Sequence, residues 1–265
     1  MTALRITPPA LLRSRRARRI VGRNLLNFRR TWLVLVSGFF EPLFYLWSIG
    51  IGIGHLVGSV AVGGHLVRYT AYVAPGLLAT SAMNGAVYDS TLNIYWKLKF
   101  QKIYDVALAT PITVADVAVG EISWALLRGE IYAAGFLVVM VAMGLTSTWW
   151  VVLVLPVAAL IGFGFAAVGM ALTTYMRSWV DFELVGLVTL PLFLFSATFY
   201  PLGTYPRGLQ LVIEALPLYH GVAMLRALTT GRIDLGLAGH ALYFVVMGLI
   251  GLSITTRRLG RLLQP

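Results

Sequence analysis

The stretch WWVVLVLPVAALIGFGFAAVGMAL, residues 149–172, is long and apolar enough to cross a lipid bilayer as a helix. It contains no charged residue, and about 20 consecutive apolar residues suffice for a helical span. Trp149 and Trp150 begin it, and such amphipathic rings prefer the lipid–water interface. The whole chain has the same character, because 58% of its 265 residues are hydrophobic and only 12% are charged. Soluble domains carry roughly 25% charged residues.

Similar apolar stretches recur along the chain and predict an all-α integral membrane protein with six transmembrane helices. A single transmembrane domain covers residues 1–265, with spans at 31–57, 69–95, 111–144, 149–172, 184–200 and 237–255. A short loop carrying His65 and Arg68 joins the first two spans.

The basic residues give the predicted orientation. A net charge of +11 could indicate a nucleic-acid partner, but the charges form separate clusters between apolar stretches. Sixteen of the 21 basic residues fall on one side of the predicted bilayer, including nine arginines in the first 30 residues. Basic residues favour the cytoplasmic side and the anionic lipid there. The sequence predicts a multi-pass protein of the bacterial cytoplasmic membrane, with both termini cytoplasmic, contacts to membrane lipid and no nucleic-acid partner.

The sequence lacks the common motifs of catalysis and nucleotide binding. It contains no G-x-x-x-x-G-K-[ST], no H-E-x-x-H, no G-x-S-x-G and no cysteine. The four histidines, at positions 55, 65, 220 and 240, are scattered in sequence, which favours packing or surface roles over metal binding. We therefore predict no catalytic residue, no metal and no cofactor on this chain.

Two segments outside the spans have helical patterns. In residues 10–30, apolar residues at 17, 21, 25 and 28 lie opposite arginines, which predicts an amphipathic helix in the interfacial plane. A solvated basic leader is the alternative, and a mitochondrial presequence is disfavoured because no small-residue cleavage site follows. In residues 201–236, Pro206, Pro217 and Gly231 delimit two helical pieces too short to span, which predicts re-entrant or interfacial helices.

The connection between the second and third predicted spans reads WKLKFQKIYDVALAT, residues 96–110. Apolar residues recur in it at helical spacing while the lysines fall largely elsewhere, which predicts one short amphipathic cytoplasmic helix. Thr110 and Pro111 suit the N-cap and first turn of the helix that follows.

Five stretches, in this order and spacing, carry a resemblance to a known family. They are EPLFYL at 41–46, YVAPGLLATSAMNGAVYDST at 72–91, ATPITVADVAVGE at 109–121, PLFLFSATFYPL at 191–202 and LPLYHGVAMLRALTTG at 216–231. The chain resembles the membrane subunit of ABC-2 type exporters over almost its full length, and within that group the lipo-oligosaccharide branch typified by nodulation protein J.

The resemblance implies a permease that works with other chains. A separate ATP-binding subunit, in two copies, would bind ATP and magnesium, and the permease would pair with a second copy of itself or with a related permease. The expected function is outward movement of a lipo-oligosaccharide, a glycolipid or an amphipathic drug along the interface between the two permeases.

The cytoplasmic connection is the predicted coupling helix to the ATPase. Its candidate residues are Trp96, Lys97, Lys99, Phe100, Lys102, Ile103, Tyr104 and Asp105, of which the rings and Ile103 would pack and the charges would orient. An ordinary basic loop is the alternative. Arg177, Asp181 and Glu183, in the second cytoplasmic connection, form either a further contact or a solvated loop.

Five charged residues lie at predicted membrane depth, where ionisable side chains are expensive and need partners. They are Glu41, Asp89, Glu121, Arg128 and Glu130. Glu121 and Arg128 are too far apart for a direct pair, so each is expected to pair with another span. Glu41 either forms part of a gate or makes a structural contact, and the others form either a polar relay or contacts that hold helices together.

Aromatic residues on the first and fifth spans could line the substrate path or face lipid. They are Phe40, Phe44, Tyr45, Phe195, Phe199 and Tyr200. Two other functions remain open. A secondary transporter would show two similar halves, which the sequence does not, and a membrane enzyme would need a clustered polar or metal site.

Overall fold

The computed structural model describes residues 10–28, 40, 42–62 and 64–263, and most of them are helical. The elements are α1 (Ala10–Phe28), α2 (Pro42–Val57), β1 (Ser59–Val62), β2 (His65–Arg68), α3 (Tyr69–Tyr88), α4 (Ile94–Lys99), α5 (Ile103–Leu108), α6 (Val114–Ala142), α7 (Trp149–Thr173), α8 (Asp181–Phe195), α9 (Arg207–Ala215), α10 (Pro217–Thr230) and α11 (Gly236–Leu263).

Three of these helices, α6, α7 and α11, are long and apolar enough to cross a membrane by themselves. The pair α9 and α10 meets the same test jointly but is bent by 86° at Leu216, as expected for a broken span or a re-entrant loop. The all-α membrane fold and the two short helices before the last span are confirmed. The total of six spans stays a prediction, and residues 31–39 and 41 of the first one lie outside the described residues.

The connection after α3 differs from the predicted single helix over residues 96–110. The backbone stays helical beyond Tyr88 through a π-helical stretch, Asp89–Asn93, and into α4. It then breaks, because Lys102 adopts a left-handed conformation with φ 49° before α5 begins. The prediction of one amphipathic helix is wrong: the break lets Phe100 stack on Trp96 outside while Tyr104 enters the core.

The helix α6 begins later than the sequence suggested. Thr113, and not Thr110, is its N-cap: the Thr113 hydroxyl accepts from the Asp116 N–H at 3.2 Å, and the Asp116 carboxylate accepts from the Thr113 N–H at 2.9 Å. This reciprocal capping box satisfies two N–H groups that the first turn leaves without partners. The predicted cap at Thr110 is wrong, since its hydroxyl donates to the Ala107 carbonyl at the end of α5.

Two helix ends and one loop also differ from the predictions made from the sequence. Helix α8 ends at Phe195, and residues 196–200 are irregular. Helix α11 continues past Thr255 to Leu263. The loop predicted after the first span contains an antiparallel hairpin, in which Ser59 pairs with Arg68 and Val62 with His65.

Helix α7 lies at the centre of the bundle and packs against α11, α3 and α6. The hairpin, the turn after α6 and the end of α10 gather at one end of the bundle, called the hairpin end. Helix α1 packs along the first half of α6 at the opposite end, called the α1 end.

Gly251 lets the backbones of α11 and α7 touch. A Cβ atom at position 251 would lie 2.6 Å from the carbonyl carbon of Ala167, which is backbone and cannot move aside. We expect Gly251→Ala to destabilise the protein by roughly 1–3 kcal/mol, in the range found for overpacking. Gly239→Ala is the matched control in the same helix, because a Cβ atom at position 239 would meet no other atom within 4 Å. Thermal unfolding in detergent should separate the two variants, and equal melting temperatures would contradict the close crossing.

Candidate functional site

A group of buried polar residues at the α1 end joins three helices, and we call it the charged joint: Arg23, Asn24, Lys97 and Glu121. The Glu121 carboxylate accepts from Lys97 Nζ at 2.7 Å, from Arg23 Nη2 at 2.9 Å and from Asn24 Nδ2 at 2.9 Å. Lys97 Nζ also donates to Asn24 Oδ1 at 3.2 Å. One carboxylate in α6 thus holds both α1 and α4.

Burial makes the charged joint energetically important. The side chains of Glu121 and Lys97 are 1% and 9% exposed, and that of Arg23 is 32% exposed. Burial lowers the pKa of Lys97, while the Glu121 carboxylate opposes this shift. Burial, and the charge of Glu121 nearby, raise the pKa of the Tyr104 hydroxyl well above its usual range. In such a setting the loss of one charge leaves another buried without compensation.

Helices α1 and α6 pack closely next to the charged joint. A Cβ atom at Gly120 would lie 2.8 Å from Ile20 Cβ and 3.1 Å from the Ala17 carbonyl oxygen. Ala17 and Ile20 are buried, whereas Arg18 and Arg19 are exposed. Helix α1 is therefore amphipathic as predicted, but the stripe that it presents to α6 runs through Ala17 and Ile20, whereas Leu25 of the predicted stripe is 48% exposed.

The structure divides the predicted coupling residues into two groups. Lys99, Phe100, Lys102 and Asp105 are exposed, as is Trp96, and Ile103 is half-buried. Lys97 and Tyr104 are buried inside this chain, so in this structure they do not lie on a surface that an ATPase could contact, and a part for them in coupling stays a prediction. The reason is the charge of Glu121, which draws Lys97 inward, a contact that the spacing of the lysines cannot reveal.

Aromatic rings from two connections meet beside the charged joint and form what we call the aromatic cluster: Tyr95, Trp96, Phe100, Trp179 and Phe182. Trp96 stacks on Phe100 with ring centroids 4.6 Å apart, and Trp179 lies 6.3 Å from Trp96. Trp96, Phe100 and Trp179 are 46%, 59% and 55% exposed. Exposed aromatic patches of this kind occur at docking surfaces and, in membrane proteins, at the lipid–water interface. Sequence reasoning missed Trp179 and Phe182, because only the fold brings them to residues 95–100.

Asp181 fixes the second connection to the start of α8. Its carboxylate accepts from the N–H groups of Arg177 at 2.7 Å and Ser178 at 3.0 Å. These hydrogen bonds, led by that from Ser178, lower the pKa of the Asp181 carboxyl. The Tyr95 hydroxyl donates to the Arg177 carbonyl at 3.3 Å, which links this turn to the aromatic cluster.

The charged residues predicted at membrane depth differ in whether they form ion pairs. Arg128 of α6 forms an ion pair with Asp89, in the π-helical stretch. Glu130 is half-buried and, among the residues that the structure describes, forms no ion pair, contrary to the expectation that it pairs across helices. Glu41 lies outside the described residues.

A cavity of about 400 Å³ opens between α2, α3, α6 and α8, beside the Asp89–Arg128 pair. Its polar lining comprises Thr80, Ser81, Asn84, Tyr88, Arg128, Tyr132 and Thr189. Its apolar lining includes Tyr45 and Phe193, whose rings lie 5.5 Å apart. A cavity of this kind can accept hydroxyl-rich groups through hydrogen bonds and an apolar chain along its other wall.

The predicted aromatic path is only partly assembled. Tyr45 lines the cavity, while Phe40 and Phe44 stack on each other and are exposed. Phe199 is 7% exposed and packs on Phe193 inside the chain, so it cannot line an open path in this structure. Phe195 and Tyr200 are exposed and do not line this cavity.

Two histidines that are distant in sequence meet between α10 and α11. The Nδ1 atoms of His220 and His240 lie 2.7 Å apart, and the His220 ring lies 4.1 Å from the ring of Tyr243. No group of three or more histidine, aspartate or glutamate side chains within the described ranges is arranged to hold a metal ion.

These features define a multi-pass helical membrane protein with an exposed aromatic patch and a buried charged joint at one end. Comparison with known families agrees, because the model of the ABC-2 type transporter family matches residues 16–229. The chain belongs to this family, and it is a membrane component of a transporter.

Characterised relatives extend over nearly the whole chain. The chain is 31% identical to nodulation protein J of Rhizobium leguminosarum bv. trifolii over 245 residues, which cover 90% of this chain and 92% of the relative. It is 30% identical to the same protein of Rhizobium leguminosarum bv. viciae, with 90% and 93% covered. For that of Rhizobium meliloti (strain 1021) the identity is 29%, with 89% and 91% covered. The resemblance drawn from the five sequence stretches is confirmed.

Proposed function

We propose that the chain is the permease subunit of an ATP-driven exporter, and that the aromatic cluster is where a separate ATPase subunit docks. The observation that carries this proposal is the exposed patch of Trp96, Phe100 and Trp179 directly beside the buried charged joint. Residues 1–265 contain no P-loop motif, which is consistent with an ATPase site on a separate subunit.

The charged joint provides a route for force from the docking surface to the bundle. Trp96 is adjacent in α4 to Lys97, which is bound to Glu121 of α6, and Glu121 holds Arg23 of α1. A push on α4 would therefore move α6 and α1 together and not bend α4 alone. Lys99, Lys102 and Asp105, all exposed near the patch, would set the orientation of the ATPase by charge.

The proposed assembly has two permeases and two ATPase subunits, and the second permease is either a copy of this chain or a relative. The α1 end faces the cytoplasm of a bacterial inner membrane, because the arginines of α1, the three lysines and the terminal arginines lie at that end. ATP and magnesium belong to the ATPase subunits. Membrane lipid surrounds the permease pair.

The substrate we propose is a lipo-oligosaccharide or a related glycolipid, with an amphipathic drug as the alternative. The cavity beside Asp89 and Arg128 supports this class, because hydroxyl and amide side chains suit a sugar and the Tyr45–Phe193 wall suits an acyl chain.

The proposal is tested by purifying the tagged chain gently from its native membrane and asking which proteins accompany it. We expect a P-loop ATPase to co-purify and to hydrolyse ATP faster with the permease than without it. Repeated isolation of the chain with no ATPase, and no ATPase binding when the products of neighbouring genes are added, would contradict the exporter and favour a gradient-driven transporter.

A further inference from the structure

Three arginines line one cavity of about 310 Å³ at the hairpin end: Arg68, Arg226 and Arg232. They come from the end of β2, the last turns of α10 and the loop after α10. The turn after α6, at Gly144–Ser147, closes another side. Three separate connections of the bundle therefore meet at one positively charged cavity. This cavity lies at the opposite end of the bundle from the aromatic cluster.

Arg68 and Arg232 are exposed and bonded to backbone only. Arg68 Nη2 donates to the Gly144 carbonyl at 2.8 Å, and Arg232 Nη1 donates to the Val62 carbonyl at 2.6 Å. Within the described part of the chain neither forms an ion pair, and Asp234, two residues from Arg232, does not pair with it.

Arg226 is more enclosed and equally without a carboxylate partner among the described residues. It donates to the carbonyls of Tyr72 and Ala197, the latter at 2.9 Å, and its guanidinium lies 3.8 Å from the Tyr72 ring centroid. Carbonyl dipoles and a ring face offset only part of the cost of enclosing a full charge.

The three guanidinium groups around one cavity repel each other, and the attraction of each to a bound anion would offset that repulsion. A guanidinium has five N–H donors, and these arginines use only some of them on the carbonyls described above. Planar guanidinium groups match the oxygens of a phosphate especially well. Leu66, Val67 and Leu145 line the same cavity, so a phosphate that carries an apolar tail would also fit.

We propose that this cavity binds a phosphate group, supplied either by an anionic lipid headgroup or by a soluble phosphate. The bound phosphate draws the hairpin, the turn after α6 and the end of α10 together. In the proposed orientation this site lies at the outer surface of the membrane. Binding does not require the ATPase, so it can be measured even if the proposed exporter function fails.

The test uses the full chain in nanodiscs of phosphatidylcholine and follows its thermal unfolding. One arm adds inorganic phosphate against sodium chloride of equal ionic strength, and the other mixes phosphatidylglycerol into the disc. Stabilisation by phosphatidylglycerol alone identifies a lipid headgroup, and stabilisation by inorganic phosphate identifies a soluble ligand. No specific stabilisation of the wild-type chain in either arm would overturn the proposal.

Variants assign the effect to the arginines. Arg68→Gln combined with Arg232→Gln should weaken phosphate binding about tenfold or more, because charge-assisted hydrogen bonds are lost. Arg207→Gln is the matched control: Arg207 is exposed, donates to Gln210 and does not line the cavity. If the double variant does not fold, Arg68→Lys with Arg232→Lys keeps the charge and should bind with intermediate affinity. Equal loss in the Arg207→Gln control would overturn the assignment.

Discussion

Replacing Glu121 with glutamine is expected to lower the free energy of unfolding by about 3 kcal/mol or more. The carboxylate is the only acidic group in the charged joint, where it faces Lys97 and Arg23. Glutamine keeps the shape but removes the charge, so the buried Lys97 is left beside Arg23 without compensation. The same change should loosen α1 from α6, which increases proteolysis within α1 at its exposed arginines, Arg18 and Arg19.

Thermal unfolding and limited proteolysis in detergent measure both effects. Glu183→Gln is the control, because Glu183 is exposed and forms no ion pair in the described structure. The double variant Glu121→Gln with Lys97→Met removes both charges and should be more stable than Glu121→Gln alone, by roughly 1–3 kcal/mol of coupling. Additive losses would mean that the two charges do not depend on each other.

Replacing Trp96 and Phe100 together with alanine should abolish binding of the ATPase subunit while the permease stays folded. Both rings are largely exposed, and an exposed aromatic pair at the centre of an interface can contribute about 2 kcal/mol or more per ring. The two rings together contribute about 4 kcal/mol, so the expected loss is about a thousandfold in the dissociation constant. Pull-down of the ATPase and permease-stimulated ATP hydrolysis are the measurements.

Trp149→Ala combined with Trp150→Ala is the matched control. Trp149 and Trp150 also stack, with ring centroids 4.1 Å apart, and Trp149 is 70% exposed. They lie at the hairpin end, where no ATPase is expected, so this variant should bind the ATPase normally. Equal effects of the two double variants would indicate a general loss of stability and would contradict docking at the aromatic cluster.

Periodicity and composition were enough to predict the helical membrane class, the helix α1 and the bent pair before α11. These features depend on local patterns: an apolar stripe opposite arginines, and the prolines at 206 and 217. The break at Lys102 was not predictable, because lysine has no intrinsic preference for a left-handed conformation and the break serves to bury Tyr104. The cap at Thr113 was missed although the T-x-x-D pattern is present, since Thr110 followed by proline offered a competing signal.

For the candidate sites too, the sequence identified some of the residues but not the contacts that they make in the fold. Depth in the predicted bilayer singled out Asp89, Glu121 and Arg128, and all three form ion pairs. Their partners could not be identified, because Arg23 and Lys97 belong to segments that carry many basic residues. The arginine cavity at the hairpin end is assembled entirely by tertiary contacts, and nothing in the spacing of the three arginines indicates that they meet.

The most direct test of the central proposal is uptake of a labelled lipo-oligosaccharide by inside-out membrane vesicles that contain the chain and its ATPase. We expect uptake to require hydrolysable ATP, to persist when ionophores collapse the ion gradients, and to be lost with the Trp96→Ala, Phe100→Ala variant. Uptake that proceeds without ATP and stops when the gradients collapse would show a secondary transporter and contradict the proposed exporter.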